Sequence, residues 1–171
     1  NVYKSSLTGF SVAFVDGSSY YVPYRHLSGP NAPMSWVFKV LAAIVARKAP
    51  TYIYNLKHEI KVLVIEGFTR KQLYSSTMLC VMVAMWMLQK PTPGKHPYAL
   101  KDMVKYRYGY EMTTFNTVVA SSPNGLFSGL SSDAPETIKY ACEDAIFALR
   151  LGKEYVPQMD AQMGATYAVH E

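Results

Sequence analysis

A tyrosine and a carboxylate stand four residues apart in the segment YACED (140–144), within a stretch of helical periodicity. Residues at this spacing lie one above the other on a helix face, so Tyr140 and Asp144 share one side of the helix. The apolar residues Phe147 and Leu151 continue the same side. A lone carboxylate among apolar neighbours needs a cation, hydrogen-bond donors or a metal ion. The pattern predicts either a salt bridge or helix cap across a packed interface, or a metal ligand beside a tyrosine that orients water.

A second polar pair follows a short β-prone stretch, in the segment NLKHE (55–59). Asn55 stands at the end of the predicted strand, and Glu59 comes one helical turn later. Ligand sites of α/β proteins form at the carboxyl ends of strands, which favours a role in a site. Alternatively, Asn55 caps the next helix and Glu59 merely favours the dipole of its first turn. Taken alone the pair favours capping, and only its combination with Tyr140 and Asp144 favours a site.

Alternation, helical spacing and turn residues predict the elements that must position these side chains. In chain order we expect a β-hairpin (7–15 and 20–24), a helix from Trp36 to Val45 that ends before Pro50, a strand at 51–54, a helix at 59–65 that Gly67 stops, a strand near Leu73 and Tyr74, an apolar helix capped by Ser75 or Ser76 and running to about Leu88, a loop at 91–97, a helix at 99–108, a Ser/Gly-rich segment at 121–132, and a long helix that starts at Pro135 after Ser132 or Asp133 as cap. A hairpin followed by strands interleaved with helices is an α/β pattern with a mixed sheet.

The long last helix is predicted to have three different faces. The core stripe contains Ile138, Ala141, Cys142, Ala145, Leu149, Gly152 and Val156, and a charged flank that faces water contains Glu136, Lys139, Glu143, Arg150 and Glu154. The stripe with Tyr140 and Asp144 lies opposite the core.

Composition limits the classes of protein to consider. With 171 residues, half of them hydrophobic, the chain forms one domain with a full core, and its net charge of +5 suits a polyanionic partner. The cysteines, Cys80 and Cys142, are too far apart for a typical zinc motif and are expected to be buried thiols. The longest apolar run, 78–88, is shorter than the roughly 18 residues of a membrane span, so we expect a cytoplasmic protein without a membrane partner.

In their order and with their apolar surroundings, the two motifs resemble the second and third motifs of the proofreading 3'-5' exonuclease domain of DNA polymerase I-type enzymes. Further segments are similar to the family's second and third strands (9–14 and 20–23), to the start of its next helix (77–79) and to its His-x-Leu-Lys-x-Leu segment (96–103). The resemblance implies a ribonuclease H-like fold, a mixed five-stranded sheet flanked by helices, here lacking its first, central strand.

The resemblance also implies a chemistry, in which carboxylates hold two divalent ions, Mg²⁺ or Mn²⁺, over the last phosphodiester of a DNA strand. Asp144 and Glu59 would be metal ligands, and Tyr140 would position the attacking water. Asn55 would contact the terminal nucleotide, and His58 stands where the family often has a tyrosine that lines the 3' end. Phe115 is a candidate for base stacking. The implied partners are a single-stranded DNA 3' end and a polymerase domain of the same parent chain, in a bacterial or phage-infected cell.

Two departures from the family bear on activity. The first motif, Asp-x-Glu, does not occur near Asn1, and Glu59 replaces an aspartate, which extends the carboxylate by one methylene. A displacement of about 1 Å in a catalytic group can lower the rate on the order of a hundredfold. We therefore expect residues 1–171 to be one exonuclease-like domain, a fragment of a longer polymerase-type protein, inactive in isolation. The alternatives are a degenerate exonuclease fold kept as a structural or DNA-binding module, and an unrelated α/β interaction domain.

Overall fold

The computed structural model of the chain describes residues 7–88 and 98–163. The described elements are, in order, β1 (Gly9–Ala13), β2 (Ser19–Pro23), α1 (Met34–Ala46), β3 (Thr51–Ile53), α2 (Leu56–Ile65), α3 (Arg70–Tyr74), β4 (Met78–Cys80), α4 (Val81–Leu88), α5 (Leu100–Tyr108), α6 (Phe115–Val119), a 3₁₀ turn (Phe127–Gly129) and α7 (Pro135–Met163). The predicted loop at 91–97, including His96 of the family-like segment, lies outside the described residues.

The strands form two separate pairs. β1 and β2 are an antiparallel hairpin in which Phe10 lies opposite Val22, whereas β3 and β4 run parallel, with Tyr52 opposite Leu79. The fold is thus mixed α/β, as predicted from the order of elements. The described residues do not form one continuous mixed sheet, since no described strand joins the two pairs.

Each two-stranded pair keeps both of its outer edges unpaired among the described residues, including the outer edges of β1 and β3. Backbone hydrogen bonds from Tyr24 to Thr8 and from Phe14 to Ser18 show that even-numbered residues of β1 face β2. The odd-numbered backbone groups of β1 therefore point to the other side, because pairing alternates along an antiparallel strand. All five residues of β1 and all three of β3 are only half-buried. A further extended segment can therefore pair at either edge.

The long helix α7 is the centre of the packing. It contacts both strands of the hairpin, β3 and helices α4, α5 and α6. Its fully buried side chains include Leu151 and Met159, neither of which retains exposed area. At Gly152 the helix backbone lies directly against Tyr52 of β3. A helix covered on so many sides cannot show a single core stripe.

Three predictions for the faces of α7 are therefore wrong. Phe147 and Leu151, expected opposite the core, belong to a buried cluster with Val81 and Met85 of α4. Glu143, expected to face water, retains only 5% of its accessible area. In contrast Ile138, expected in the core stripe, is exposed. Neighbouring helices and loops cover Phe147, Leu151 and Glu143, and the periodicity of α7 does not encode these neighbours.

The predicted strand near Leu73 and Tyr74 is also wrong, since these residues end α3. Thr69 and Gln72 form a capping box, in which each side chain accepts a hydrogen bond from the other's backbone N–H. This local start signal outweighs the β preference of the short segment. The second parallel strand lies a few residues later, as β4.

The predicted caps of α4 and α7 are not used. The hydroxyls of Ser75 and Ser76 donate back to carbonyls of α3, and α4 begins only at Val81, directly after β4. At α7 the hydroxyl of Ser132 donates to the carbonyl of Pro30, and Asp133 accepts from the hydroxyl of Ser131. Long-range and turn contacts therefore take the side chains that local sequence offers as caps.

Several predictions are confirmed. The hairpin, the strand before Asn55, the helix α5 and the start of α7 at Pro135 lie where the sequence places them. Both cysteine thiols are buried.

None of the described helices combines the length and the apolar character needed to cross a membrane.

Candidate functional site

Tyr140 and Asp144 lie on α7 beside a lysine of α5. The ammonium Nζ of Lys101 is 3.8 Å from Oδ1 of Asp144 and 4.4 Å from the centroid of the Tyr140 ring. It also donates a hydrogen bond to the carbonyl of Thr113. Lys101 thus joins the phenol, the carboxylate and the loop before α6, and this lysine is the cation that the sequence pattern required for Asp144.

Asp144 is only partly satisfied in this environment. Its Oδ1 atom is buried and has no hydrogen-bond partner among the described residues, because 3.8 Å to Lys101 exceeds hydrogen-bond length. Burial raises the pKa of Asp144, the ammonium of Lys101 lowers it, and the charge of Glu143 raises it further. The whole side chain is still 43% exposed. One oxygen is therefore accessible to solvent, and the other is buried without a full partner.

Glu59, in the first turn of α2, shares the electrostatic environment of Asp144. Although Glu59 retains solvent access, the surrounding protein raises its pKa, and the negative charge of Asp144 raises it too. The neighbouring His58 has the opposite effect, which is smaller than that of burial but larger than that of Asp144. The charge of Asp144 thus acts on Glu59, although the two carboxylates stand on separate helices and far apart in sequence.

Tyr140 is half-buried against Phe127, whose ring centroid lies 5.4 Å away. Burial, and then the charge of Asp144, raise the pKa of Tyr140 to about 12. The phenol is therefore neutral at physiological pH and able to donate a hydrogen bond. Tyr140 and Asp144 thus lie together beside Lys101, whereas Glu59 is related to them only through the charge of Asp144.

No described hydrogen bond, ion pair or ring contact joins the three remaining predicted residues to Tyr140 or Asp144. Asn55 occupies the N-cap position of α2, but its exposed side chain makes no capping hydrogen bond, while Glu59 lies in the first turn, as the dipole alternative expects. His58 is exposed one position before Glu59. Phe115 begins α6 with 44% of its area exposed, two residues after Thr113. No described contact joins the Phe115 ring to Tyr140, Asp144 or Glu59.

Sequence reasoning missed two residues that build the site. Lys101 lies in the family-like segment at 96–103, which was a usable signal. Glu143 gives no such signal, since its helical spacing places it among the charged residues that are expected to face water. In the structure its carboxylate accepts hydrogen bonds from the Tyr110 hydroxyl at 2.7 Å and from the Thr113 N–H at 2.9 Å. Glu143 therefore anchors the loop that accepts the Lys101 ammonium.

The carboxylate oxygens of Glu59 and Asp144 meet the needs of a hard divalent ion only in part. Carboxylate oxygens are the ligands that Mg²⁺ and Mn²⁺ prefer, and the under-satisfied Oδ1 of Asp144 fits such a role. Within the described ranges no three His, Cys, Asp or Glu side chains are grouped to hold a metal ion. Two metals about 3.5–4 Å apart need more carboxylates than Glu59 and Asp144 supply.

Neutralising Asp144 is expected to preserve or raise stability at pH 7. A raised folded-state pKa means that the group stabilises the fold below its ordinary pKa and loses this contribution as pH rises through the raised value. Asp144→Asn should therefore raise Tm at pH 7 by at most about 2–4 °C, since about 1 kcal/mol has this effect at this chain length and solvent screens a partly exposed group. The gain should vanish near pH 3.

Thermal unfolding at both pH values measures this, with Asp160→Asn as the control, because Asp160 is an exposed carboxylate on the same helix. A clear loss of stability in Asp144→Asn at pH 7 would mean that the ion pair with Lys101 is structural.

Comparison of the chain with protein-family models and with curated proteins gives no match.

Proposed function

We propose that this chain is a 3'-5' exonuclease-like domain of a DNA polymerase-type protein and binds the 3' end of single-stranded DNA. The observation that carries the proposal is the pair Tyr140 and Asp144 on one face of α7, where the buried Oδ1 of Asp144 has no hydrogen-bond partner among the described residues. A purely structural carboxylate would be expected to have its buried oxygen satisfied. The charge of Asp144 also raises the pKa of Glu59, the second predicted metal ligand.

The arrangement of the strands also supports the proposal. A ribonuclease H-like sheet would be completed by one strand that pairs antiparallel with β1 and parallel with β3. Both strands have open edges among the described residues, and α7 contacts both. We assign the missing carboxylates, the Asp-x-Glu motif of the resembling family, to such a strand in an intact parent protein.

In this proposal each residue has a distinct role. Asp144 and Glu59 would hold Mg²⁺ or Mn²⁺, which supplies an activated water and stabilises charge on the phosphate. The neutral phenol of Tyr140 would donate a hydrogen bond to the attacking water. Asn55 and His58, exposed at the start of α2, contact the terminal nucleotide, and the exposed Phe115 ring stacks on a base.

A second candidate function, a degenerate exonuclease fold that binds DNA without cleaving it, is favoured by Lys101. Its ammonium already places a positive charge beside Oδ1 of Asp144. This charge offsets the repulsion between the carboxylates without a metal. The longer side chain of Glu59, in place of the family's aspartate, favours the same alternative.

The isolated chain is expected to show no metal-dependent nuclease activity, because two carboxylates are too few to hold two ions. The measurement is incubation of the pure chain with a 5'-labelled single strand and Mg²⁺ or Mn²⁺, resolved on a sequencing gel. Stepwise loss of 3' nucleotides that EDTA and Asp144→Ala both abolish would show that the described residues already form a complete site.

DNA binding by the same chain tests the proposed function directly. For three phosphate contacts, each contributing roughly −0.7 to the salt slope, a fourfold rise in salt should weaken binding about 18-fold. Phe115→Ala should weaken binding by about 1–3 kcal/mol without a change in the slope. The matched control is Phe14→Ala, which removes a ring of similar exposure, 42%, from the end of the hairpin.

Fluorescence anisotropy with a labelled single strand measures both effects, after thermal unfolding has shown that each variant is folded. If neither the parent chain nor the control binds a single strand even at low salt, the proposal fails. If Phe115→Ala and Phe14→Ala bind equally well, the stacking role alone is removed.

A further inference from the structure

A groove of about 510 Å³ lies on the other side of α2 from the candidate site. Its lining comes from α2, α3, β4 and α4. Lys57 and Lys61 of α2 line the groove and are each two positions from Glu59, which corresponds to about 200° around a helix. The groove is therefore separate from the carboxylate site, although one helix contributes to both.

The floor of the groove is aliphatic. Ile60 and Val64, four residues apart on α2, form a stripe, and Val83 of α4 lies across from them. Val64 and Ile65 are 37% and 41% exposed, so this aliphatic surface is open to solvent. An aliphatic strip bordered by polar groups suits a partner that presents apolar side chains.

The rim of the groove is positively charged. Lys57, Lys61 and Arg70 line it and are exposed, and no acidic side chain of the described residues lies within ion-pair distance of any of them. Three unneutralised cations around an aliphatic floor are complementary to a surface with both carboxylates and aliphatic side chains.

This charge pattern makes the parts of the chain outside the described ranges poor candidates to bind in the groove. Residues 1–6, 89–97 and 164–171 contain Lys4, Lys90 and Lys95 but only one acidic residue, Glu171. Nucleic acid suits the charged rim less well than a protein partner suits the whole groove. Bases stack on aromatic rings, whereas the floor is aliphatic and the lining offers one ring, that of Tyr74.

We propose that this groove docks an acidic amphipathic helix of another protein chain. The stripes Lys57–Lys61 and Ile60–Val64 run along α2 at helical spacing, so they match a partner helix that presents leucine-like side chains at i, i+3, i+4 and i+7 with carboxylates beside them. The aliphatic side chains bind the floor, and the carboxylates pair with Lys57, Lys61 and Arg70. This docking is independent of nuclease chemistry.

The test uses the full chain and a fluorescein-labelled 16-residue peptide of Leu and Glu, with Leu at the spacing above. Lys61→Glu should weaken binding of this peptide about tenfold, since the substitution removes an exposed ion pair and also adds repulsion. The matched control is Lys39→Glu, an exposed reversal on α1 outside the groove, which should bind as the parent chain does. The same peptide with Lys in place of Glu should bind the Lys61→Glu chain better than the parent.

Circular dichroism first establishes that both variants fold, as expected for exposed positions. Equal weakening of peptide binding by Lys61→Glu and Lys39→Glu would overturn the proposal, because the loss of affinity would then come from the net charge of the chain and not from the groove. Absence of peptide binding at millimolar concentration would overturn it as well. If oligo(dT) displaces the peptide and loses affinity with Lys61→Glu, the groove is a nucleic-acid site and the protein partner is wrong.

Discussion

Replacing Leu151 by alanine is expected to lower the free energy of unfolding by about 2–5 kcal/mol, the range for large-to-small changes at fully buried positions. Leu151 retains no exposed area and packs in the cluster with Val81 and Met85 of α4 and Val104 of α5. The substitution leaves a cavity where α7 joins these two helices. Urea unfolding at pH 7 measures the effect as a lower midpoint with an unchanged slope.

The matched control for Leu151→Ala is Ile146→Ala, since Ile146 lies on the same helix with 39% of its area exposed. Its cost should stay below about 1 kcal/mol, because less apolar area is buried there. Equal losses in the two variants would contradict the central position of α7. They would instead favour the original expectation that the stripe with Leu151 lies away from the core.

Gly152→Ala is expected to destabilise the protein by about 1–3 kcal/mol, the usual cost of overpacking, although alanine favours helices by about 1 kcal/mol over glycine. A Cβ at position 152 would lie 2.4 Å from Cγ and 2.6 Å from Cβ of Tyr52. Rotation of the Tyr52 side chain cannot remove its own Cβ, so α7 must move away from β3. Thermal unfolding measures the loss.

The control for Gly152→Ala is Lys153→Ala at the next, exposed position of α7, which should leave Tm nearly unchanged. A Gly152→Ala chain that is more stable than the parent would mean that helix propensity outweighs the contact with Tyr52. In that case the close approach of α7 and β3 is not a constraint on the fold.

Local features of the sequence determined many of the elements correctly. The alternating residues around the turn at Asp16 specify the hairpin, and the missing N–H of Pro135 suits the first turn of α7. The strand before Asn55 and the helix after it place Asn55 and Glu59 at a strand end. These signals depend on residues a few positions apart, so they can be read without knowledge of the tertiary contacts.

Only the tertiary structure decided which faces are buried and which charges meet. The periodicity of α7 predicts one core stripe, but contacts with the hairpin, β3 and α4 to α6 bury Leu151 and Glu143 as well. Lys101 reaches Asp144 because the loop anchored by Glu143 holds α5 beside α7. The effect of the Asp144 charge on the pKa of Glu59 likewise joins residues of two different helices. Helical spacing gives the side of a helix on which a residue lies, whereas its neighbours there come from distant parts of the chain.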